Sequence, residues 1–390
     1  MKKIFPIIRP EVKVSDIFYG FLRGKNNSQE GFAALLAKLT GKKYVYLVNS
    51  GLTAFYLALI ALKLRSERGE VVLPAYTAGS LVVAIMKAGL KPVLCDITLE
   101  DFNIDRKSLP EVISQDTLAV AAVHMFGIPI NDISGLKDRI SPKICLIEDC
   151  AQAQGAKVDN LAVGGFGEIS FFSFNRGKNF SLFGGGGITT DNQVLAEEIG
   201  NNVQLLKKSG KFPDLFPALK MCFSLFAVNP YLYGCANLLI SRFKENAPPD
   251  DLKAGCFPGL HAGLGMFLAE SRDKVFNRRN YNGEYLRERL KSVPGIRLAE
   301  ISANCYPVYN RFPVLFEDSR VLEKKQSQLW KAGFESSRMY LKPLHQMFDL
   351  GYQPLDFPNA GYFAEHALTL PVYSSLGEKE LDKIIEVIKK

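Results

Sequence analysis

Two residues of the sequence could act together on an amino group, an aspartate and a lysine that each follow a short apolar run. Asp149 closes the run at 146–149, and Lys178 stands in a loop just after Ser173 and Phe174. A partly deprotonated lysine is a nucleophile toward carbonyl carbon. Pyridoxal phosphate (PLP) chemistry most needs this pair: the lysine forms a Schiff base, and the aspartate keeps the pyridine nitrogen protonated. Taken alone, each residue is more often an ordinary loop side chain.

A phosphate-bearing cofactor also needs an anion site, and residues 48–54 supply a candidate. A strand leads through Ser50 and Gly51 into a helix that includes Leu52. The free N–H groups of a helix N-terminus bind anions, and the Ser173 hydroxyl could add a further donor. The alternative is an ordinary helix start with Ser50 as its N-cap.

These residues fall where an α/β sheet would position them. From about residue 43 to 190, short β-rich runs alternate with helical stretches, which predicts a mostly parallel sheet covered by helices. Such sheets bind ligands at the carboxyl ends of their strands. The predicted strands are 44–48, 71–73, 92–97, 118–124, 144–148, 169–174 and 187–190, with helices at 52–63, 79–89 and 194–208.

The composition is that of an ordinary globular protein with room for two domains. The chain has 390 residues, 47% hydrophobic and 23% charged, and its net charge of +8 is not concentrated in an arginine-rich tract. This distribution does not favour a nucleic-acid partner. Seven cysteines without metal-type spacing indicate a reducing compartment and no structural metal. The N-terminus lacks a signal-like apolar run, so we expect a cytoplasmic protein.

An uncharged stretch of membrane-span length interrupts the second half of the chain. Residues 221–241 carry no charge, and basic residues lie on both sides. Because Asn229, Pro230 and Gly234 break its centre, a packed helical insertion is favoured over contact with a lipid surface, and both over a true span. The polar segment 245–251 predicts a domain boundary, followed by helices 261–292, 319–332 and 377–389 and strands 296–298 and 311–315.

Several segments occur in an order that one enzyme family shares. They are Ser50-Gly51, Pro74-Ala75-Tyr76-Thr77, Asp96-Ile97, Asn103-Ile104-Asp105, His124-Met125-Phe126-Gly127, 148–153, Ser173-Phe174, Gly177-Lys178-Asn179, Pro343-Leu344-His345 and 368–381. In this order they resemble the DegT/StrS-type sugar aminotransferases, PLP enzymes of fold type I. The resemblance implies an N-terminal segment 1–26, a large PLP-binding α/β domain 27–245 with the apolar insertion at about 212–245, and a smaller α/β domain 252–390. It also implies a homodimer with both sites at the interface.

The resemblance further implies roles for matching cofactor residues. Lys178 would be the Schiff-base lysine and the proton-transfer base, Asp149 would pair with the pyridine nitrogen, and Gln152 would contact the ring or its phenolic oxygen. The phosphate site would be formed by Ser50, Gly51, Leu52 and Ser173. Ala78 stands where the family often has an aromatic residue, so Tyr76 or Phe126 would have to stack on the ring instead.

Substrate-binding residues follow less directly from the resemblance. His345, with Tyr340 before it, lies in a loop that approaches the substrate in the family. His124 either lines the cleft or packs as a core histidine. The stretches 201–204 and 256–260 depart from the family pattern on either side of the apolar insertion, which indicates an altered region for reading the substrate.

The roles together predict an aminotransferase. It would move an amino group from an L-amino acid, glutamate by preference, to a nucleotide-linked keto-sugar in cell-surface polysaccharide or secondary-metabolite biosynthesis. One alternative keeps the chemistry but takes a lipid-linked ketone, with Phe216 to Ser241 at the membrane surface. A second alternative is a protein that binds PLP without catalysis.

Overall fold

The central feature of the molecule is a seven-stranded sheet whose side chains are buried on both faces. The structure, a computed structural model, describes residues 3–24, 27–206, 215–234 and 252–390. The strands before residue 200 are β1 (Tyr44–Val48), β2 (Glu70–Pro74), β3 (Lys91–Cys95), β4 (Thr117–Val123), β5 (Cys145–Asp149), β6 (Lys157–Val158), β7 (Leu161–Ala162), β8 (Ile169–Ser173) and β9 (Gly186–Thr190). All seven predicted strands are present, with ends shifted by at most two residues.

The order of the strands is β1-β9-β8-β5-β4-β2-β3. β3, β2, β4, β5 and β8 are parallel neighbours in turn, whereas β9 runs antiparallel to β8 and β1. Successive residues of one strand join different hydrophobic clusters, Phe171 one cluster and Phe172 another. This alternation is expected of a strand whose two faces are both covered. The carboxyl ends of the parallel strands therefore lie along one edge, where Asp149 and Ser173 are placed.

Helices cover the sheet and build the C-terminal part. Their bounds are α1 (Val14–Arg23), α2 (Ser28–Thr40), α3 (Gly51–Lys63), α4 (Gly79–Lys87), α5 (Leu109–Val112), α6 (Ile133–Asp138), α7 (Gln193–Gln204), α8 (Leu215–Ala227), α9 (Gly259–Leu268), α10 (Arg272–Leu290), α11 (Ser319–Ala332), α12 (Leu344–Met347), α13 (Pro358–His366) and α14 (Glu378–Lys389). The predicted helix 319–332 is confirmed. The predicted helical region 261–292 is present as two helices, α9 and α10, which a 3-10 turn at Ala269–Ser271 divides.

The C-terminal part carries a sheet of its own. β10 (Ile296–Arg297), β12 (Phe312–Phe316) and β13 (Ala367–Leu370) form it in the antiparallel order β10-β12-β13, while β11 (Cys305–Tyr306) pairs with β6. Helix α9 packs closely on α1, and a Cβ added to Gly263 would lie 2.1 Å from the carbonyl oxygen of Gly20. The predicted linker 245–251 lies outside the described residues, so the domain division 27–245 and 252–390 stays a prediction.

Where the structure describes the apolar stretch, it is helical except at Val228 and Asn229. Met221 is buried in the core, but α8 turns a stripe of large apolar side chains outward. The stripe consists of Phe216, Leu219, Phe223 and Phe226, each at least 60% exposed. Among the described residues, no helix combines the length and hydropathy needed to cross a bilayer. The rest of the stretch, 235–241, is outside the described residues.

A buried hydrogen-bond network fixes the end of β5 next to Asp149. Both Glu148 and His124 are fully buried, and Nε2 of His124 lies 3.1 Å from Oε2 of Glu148. Because Nδ1 of His124 accepts from the amide of Ile130, Nε2 is the donor to Glu148. The carboxylate also accepts main-chain amides from Gly164, Phe166 and Gly167. Of the two alternatives for His124, these contacts are those of a packed core histidine.

The network predicts a stability cost for neutralising Glu148. Burial alone would raise the pKa of Glu148, but the hydrogen bond from His124, together with those from the loop amides, lowers it below its ordinary value of 4.5. The stabilisation is therefore complete above about pH 4.5 and is lost as the pH falls below it. In Glu148→Gln, an NH2 group faces amide donors, so we expect the free energy of unfolding at pH 7 to drop by about 2 to 4 kcal/mol in urea titrations.

Glu323→Gln is the matched control, because Glu323 is exposed on α11. The account of the network is contradicted if both variants unfold at the same urea concentration as the native protein.

Candidate active site

Asp149 is held at the carboxyl end of β5. Its side chain is buried, and Oδ1 accepts the amide of Ala151 at 2.9 Å. Its main-chain carbonyl accepts the amide of His124. Backbone pairing on one side and the Glu148 network on the other leave this carboxylate little freedom to move. A carboxylate fixed in this way can hold a cation or a proton of a ligand at a set position.

Lys178 is carried by the loop that follows β8, the strand next to β5. Two asparagines anchor this loop. Nδ2 of Asn179 donates to the carbonyl oxygens of Gln152 at 3.0 Å and Val308 at 2.5 Å, and Nδ2 of Asn310 donates to that of Gly177 at 2.5 Å. The loop is thereby tied to both the β5 end and the C-terminal part. Its lysine is positioned between them.

The charges of Asp149 and Lys178 act on one another. Burial raises the pKa of the Asp149 carboxyl, and the charge of Lys178 opposes that rise. Burial lowers the pKa of the Lys178 amine, while the charge of Asp149 acts to raise it. An amine with a lowered pKa has a larger neutral fraction near neutral pH, which is the form that attacks carbonyl carbon. The structure thus brings together the pair that the sequence singled out.

The start of α3 fits a phosphate group. Ser50 is the N-cap, and its Oγ accepts the amide of Thr53 at 3.0 Å. The amides of Gly51 and Leu52 are the first two of α3, which the hydrogen bonds of the helix itself leave unused. A Cβ added to Gly51 would lie 2.7 Å from Cβ of Ser173, so the helix start and the Ser173 hydroxyl adjoin only because residue 51 is glycine. Two free amides at a helix N-terminus beside a hydroxyl form a suitable anion cradle.

Gln152 follows Asp149 by three residues, and its amide oxygen already accepts a hydrogen bond. Oε1 accepts the amide of Phe126 at 3.2 Å, and Nε2 lies 3.6 Å from the sulfur of Met125. The side chain therefore fixes the turn at Met125–Gly127, in which Phe126 has a positive φ of 58°. A contact of Gln152 with the cofactor stays a prediction, and only the second N–H of Nε2 is left to make it.

The two aromatic candidates for ring stacking are packed in the core. Tyr76 and Phe126 are both essentially unexposed, and each contacts the ring of Phe363. The hydroxyl of Tyr76 accepts the amide of Tyr340 at 3.2 Å. Tyr76 therefore positions the segment that carries Tyr340. Stacking on the cofactor by Tyr76 stays a prediction without a contact that supports it.

Tyr340 and a residue that the sequence analysis missed, Arg311, complete the cluster. Burial raises the pKa of Tyr340, the charge of Arg311 opposes this, and that of Asp149 adds to it. The charge of Arg311 also lowers the pKa of Lys178. Nη1 of Arg311 donates to Oγ of Ser337 at 2.8 Å, whereas its buried Nε has no partner among the described residues. The sequence does contain a signal for Arg311, because a charged residue directly precedes the apolar strand 312–316.

His345 makes its contacts elsewhere. Its Nε2 lies 3.1 Å from the carbonyl oxygen of Pro354, and its ring packs against Phe357. None of these contacts reaches Asp149 or Lys178, and a substrate role for His345 stays a prediction. The side chains of His124, Glu148 and Cys150 place metal-ligand atoms within 4.8 Å of one another, but hydrogen bonds already occupy those of His124 and Glu148.

Comparisons with known proteins agree with this geometry. The family model of the DegT/DnrJ/EryC1/StrS aminotransferases matches residues 17–212 and 258–389. EryC1 of Saccharopolyspora erythraea, named an erythromycin biosynthesis sensory transduction protein, is 28% identical, with 95% of this chain and 91% of the relative covered. The GDP-perosamine synthase of Vibrio cholerae is 24% identical, with 95% and 92% covered. The solved PLP form of Spr1654 from Streptococcus pneumoniae superposes with a TM-score of 0.79 at 21% identity, covering 99% of this chain and 98% of that one.

The family match covers most of the chain, including the strand that ends at Asp149 and the loop of Lys178. The fold type I architecture, the PLP cofactor and the transaminase class that the motifs predicted are thereby confirmed. The chain belongs to the DegT/DnrJ/EryC1/StrS aminotransferase family.

Proposed function

We propose that the protein transfers the amino group of an L-amino acid, glutamate by preference, to a keto-sugar carried on a nucleotide, in polysaccharide or secondary-metabolite biosynthesis. The observation that carries the proposal is the mutually acting pair Asp149 and Lys178, together with the N-terminus of α3 beside Ser173. The relative named GDP-perosamine synthase supports a nucleotide-linked acceptor.

The chain's own residues divide the work of the two half-reactions. When bound, PLP supplies an electron-accepting ring and the carbon that exchanges amino groups. The amides of Gly51 and Leu52 and the hydroxyl of Ser173 would hold its phosphate. Asp149 would keep the proton on the ring nitrogen. The amine of Lys178 would take the proton from Cα of the donor and deliver it to C4′, and would reverse this on the acceptor.

Arg311 is the residue best placed to bind a carboxylate of the donor. Its guanidinium has an unpartnered Nε, and its neighbour Asn310 is bonded to the loop of Lys178. Arginine binds carboxylates in a bidentate manner with two parallel N–H groups. With the donor held at one end by Arg311, its Cα–H would be directed toward the Lys178 amine.

One observation favours the second candidate, a lipid-linked ketone as acceptor at a membrane surface. The outward stripe of α8 is aromatic and aliphatic, and the sequence carries lysines at 207, 208, 211 and 220 and basic residues at 242 and 244. Apolar side chains with basic flanks are typical of peripheral contact with anionic lipid.

The candidate predicts co-flotation of the native protein with vesicles of anionic phospholipid. Phe223→Ser with Phe226→Ser should abolish it, and Leu355→Ser, which removes an exposed apolar residue of the C-terminal part, should not. Native protein that stays at the bottom of the gradient contradicts the lipid-surface candidate.

We also infer a homodimer, as the family resemblance implies. Helix α1 exposes five large apolar side chains, Val14, Phe18, Tyr19, Phe21 and Leu22, and a face of this kind is usually covered by a partner. Sedimentation of the purified protein as a monomer would contradict this inference.

Lys178→Ala separates catalysis from mere cofactor binding. In the native protein, we expect a visible absorbance band that converts to the band of pyridoxamine phosphate when L-glutamate is added. In the variant, the conversion should fall by at least about 10³-fold because no amine remains to move the proton. A native protein that binds PLP but never converts it contradicts the proposed function and favours binding without catalysis.

Arg311→Gln should raise the KM for L-glutamate by about 10- to 100-fold, with Arg311→Lys intermediate. L-Isoglutamine and L-glutamine each lack the charge of one donor carboxylate. The native protein should discriminate against one of these amides in the half-reaction, and Arg311→Gln should lose that discrimination. If native protein and variant discriminate by the same factor, Arg311 is not the carboxylate partner.

A further inference from the structure

A cavity of about 470 Å³ adjoins the loop that carries Lys178, and the roles above do not use it. On one side it is lined by Asn175 and Arg176, which directly precede Gly177 and Lys178, and on the other by residues of α8. The family model matches residues 17–212 and 258–389, so α8 lies in the part of the chain that the model leaves out.

Two cations line the cavity. Arg176 and Lys220 both line it, and neither forms an ion pair with any residue that the structure describes. Among the lining residues that the structure describes, none is an aspartate or a glutamate. Two positive side chains that line one cavity attract an anion that enters it. Phosphate and diphosphate groups are the anions that arginine and lysine bind together most often.

A buried histidine adds a polar group to the same wall. His261 is only 6% exposed, and its Nδ1 has no hydrogen-bond partner among the described residues. Its Nε2 would be 3.0 Å from a Cβ on Gly184, which also lines the cavity. Burial lowers the pKa of His261 to about 4, so the ring is neutral at pH 7 and has one N–H to donate. The Nε2 atom, which adjoins Gly184 at the cavity wall, is the nitrogen placed to donate that N–H to an anion in the cavity.

The remaining wall is apolar and aromatic. Phe183 and Phe216 both line the cavity, and Phe183 has a positive φ of 65°. A bulky residue in the left-handed region is strained, and such strain concentrates where side-chain direction matters for a ligand. The cavity thus offers cations for a phosphate group and rings for a flat or apolar group attached to it.

We propose that this cavity binds the phosphate or diphosphate group of the amino acceptor, with Arg176 and Lys220 as counter-charges and His261 as a hydrogen-bond donor. The proposal rests on the proposed function, since it names the part of the acceptor that is held away from the reacting carbon. Two sources carry this chemistry, a nucleoside diphosphate and an isoprenoid diphosphate lipid, and both present the same anion to the cavity.

Isothermal titration of the PLP-loaded protein tests the proposal and separates the two sources. The probes are dTDP, UDP, GDP, farnesyl diphosphate and inorganic pyrophosphate. We expect at least one of the first four to bind, and to bind more tightly than pyrophosphate because the aromatic wall adds contacts. Tighter binding of a nucleotide assigns the nucleotide-linked acceptor, and tighter binding of farnesyl diphosphate assigns the lipid-linked one.

Charge removal then locates the site. Arg176→Gln and Lys220→Gln should each weaken binding by about tenfold and the double variant by about a hundredfold. Lys324→Gln, which removes an exposed lysine of α11, should leave the affinity unchanged. Both replaced side chains are exposed, so we expect the variants to fold, and thermal unfolding checks this.

The outcome distinguishes failure of the cavity from failure of the proposed function. If the native protein completes the half-reaction with glutamate but binds none of the diphosphates, or binds them equally well without Arg176 and Lys220, the cavity proposal is overturned and the transaminase stands. If the native protein shows no half-reaction, the function itself fails, whatever the titrations show.

Discussion

The arrangement of the site depends on two opposite charges, the buried Asp149 and the partly buried Lys178. Asp149 and Lys178 are each penalised by burial, which favours the neutral form of both groups, and each is favoured by the charge of the other. If either charge is removed, the pKa of the other group shifts further toward the value that favours its neutral form. The pair is therefore a single chemical unit, and the fold has to hold its two members at a fixed separation.

The parallel sheet supplies that separation. β5 and β8 are adjacent, with Asp149 paired to Phe171, so the residue that ends β5 and the loop that follows β8 open at the same edge. Behind this edge, the contact of Glu148 with His124 and three loop amides locks β5 in place. In front of it, Asn310 brings the C-terminal part, and Arg311 with it, against the Lys178 loop. The buried Glu148 carboxylate thus fixes the position at which the neighbouring Asp149 carboxylate meets the ligand.

Features that depend on short sequence segments could be predicted, and features that depend on contacts between distant segments could not. The strands of the large sheet, Asp149, Lys178 and the Gly51 helix start follow from local patterns of apolar runs, turns and helix caps. The state of His124 could not be decided, because its partners depend on the register in which Ala122 pairs with Glu148. Arg311 was missed because its neighbours in space, Ser337 and the Lys178 loop, are remote in sequence. The break at Ala269–Ser271 went unnoticed because no proline or turn motif marks it.

The most direct test of the account is the pKa of the Lys178 amine in the protein stripped of cofactor. It can be measured as the pH dependence of the rate at which the apoprotein captures PLP covalently, for the native chain and for Asp149→Asn. The account predicts a midpoint below the ordinary 10.5 in the native chain, because burial dominates, and a lower midpoint still in the variant, because the supporting negative charge is gone. A native midpoint at or above 10.5, or one that Asp149→Asn leaves unchanged, would show that the two charges do not form the unit described here.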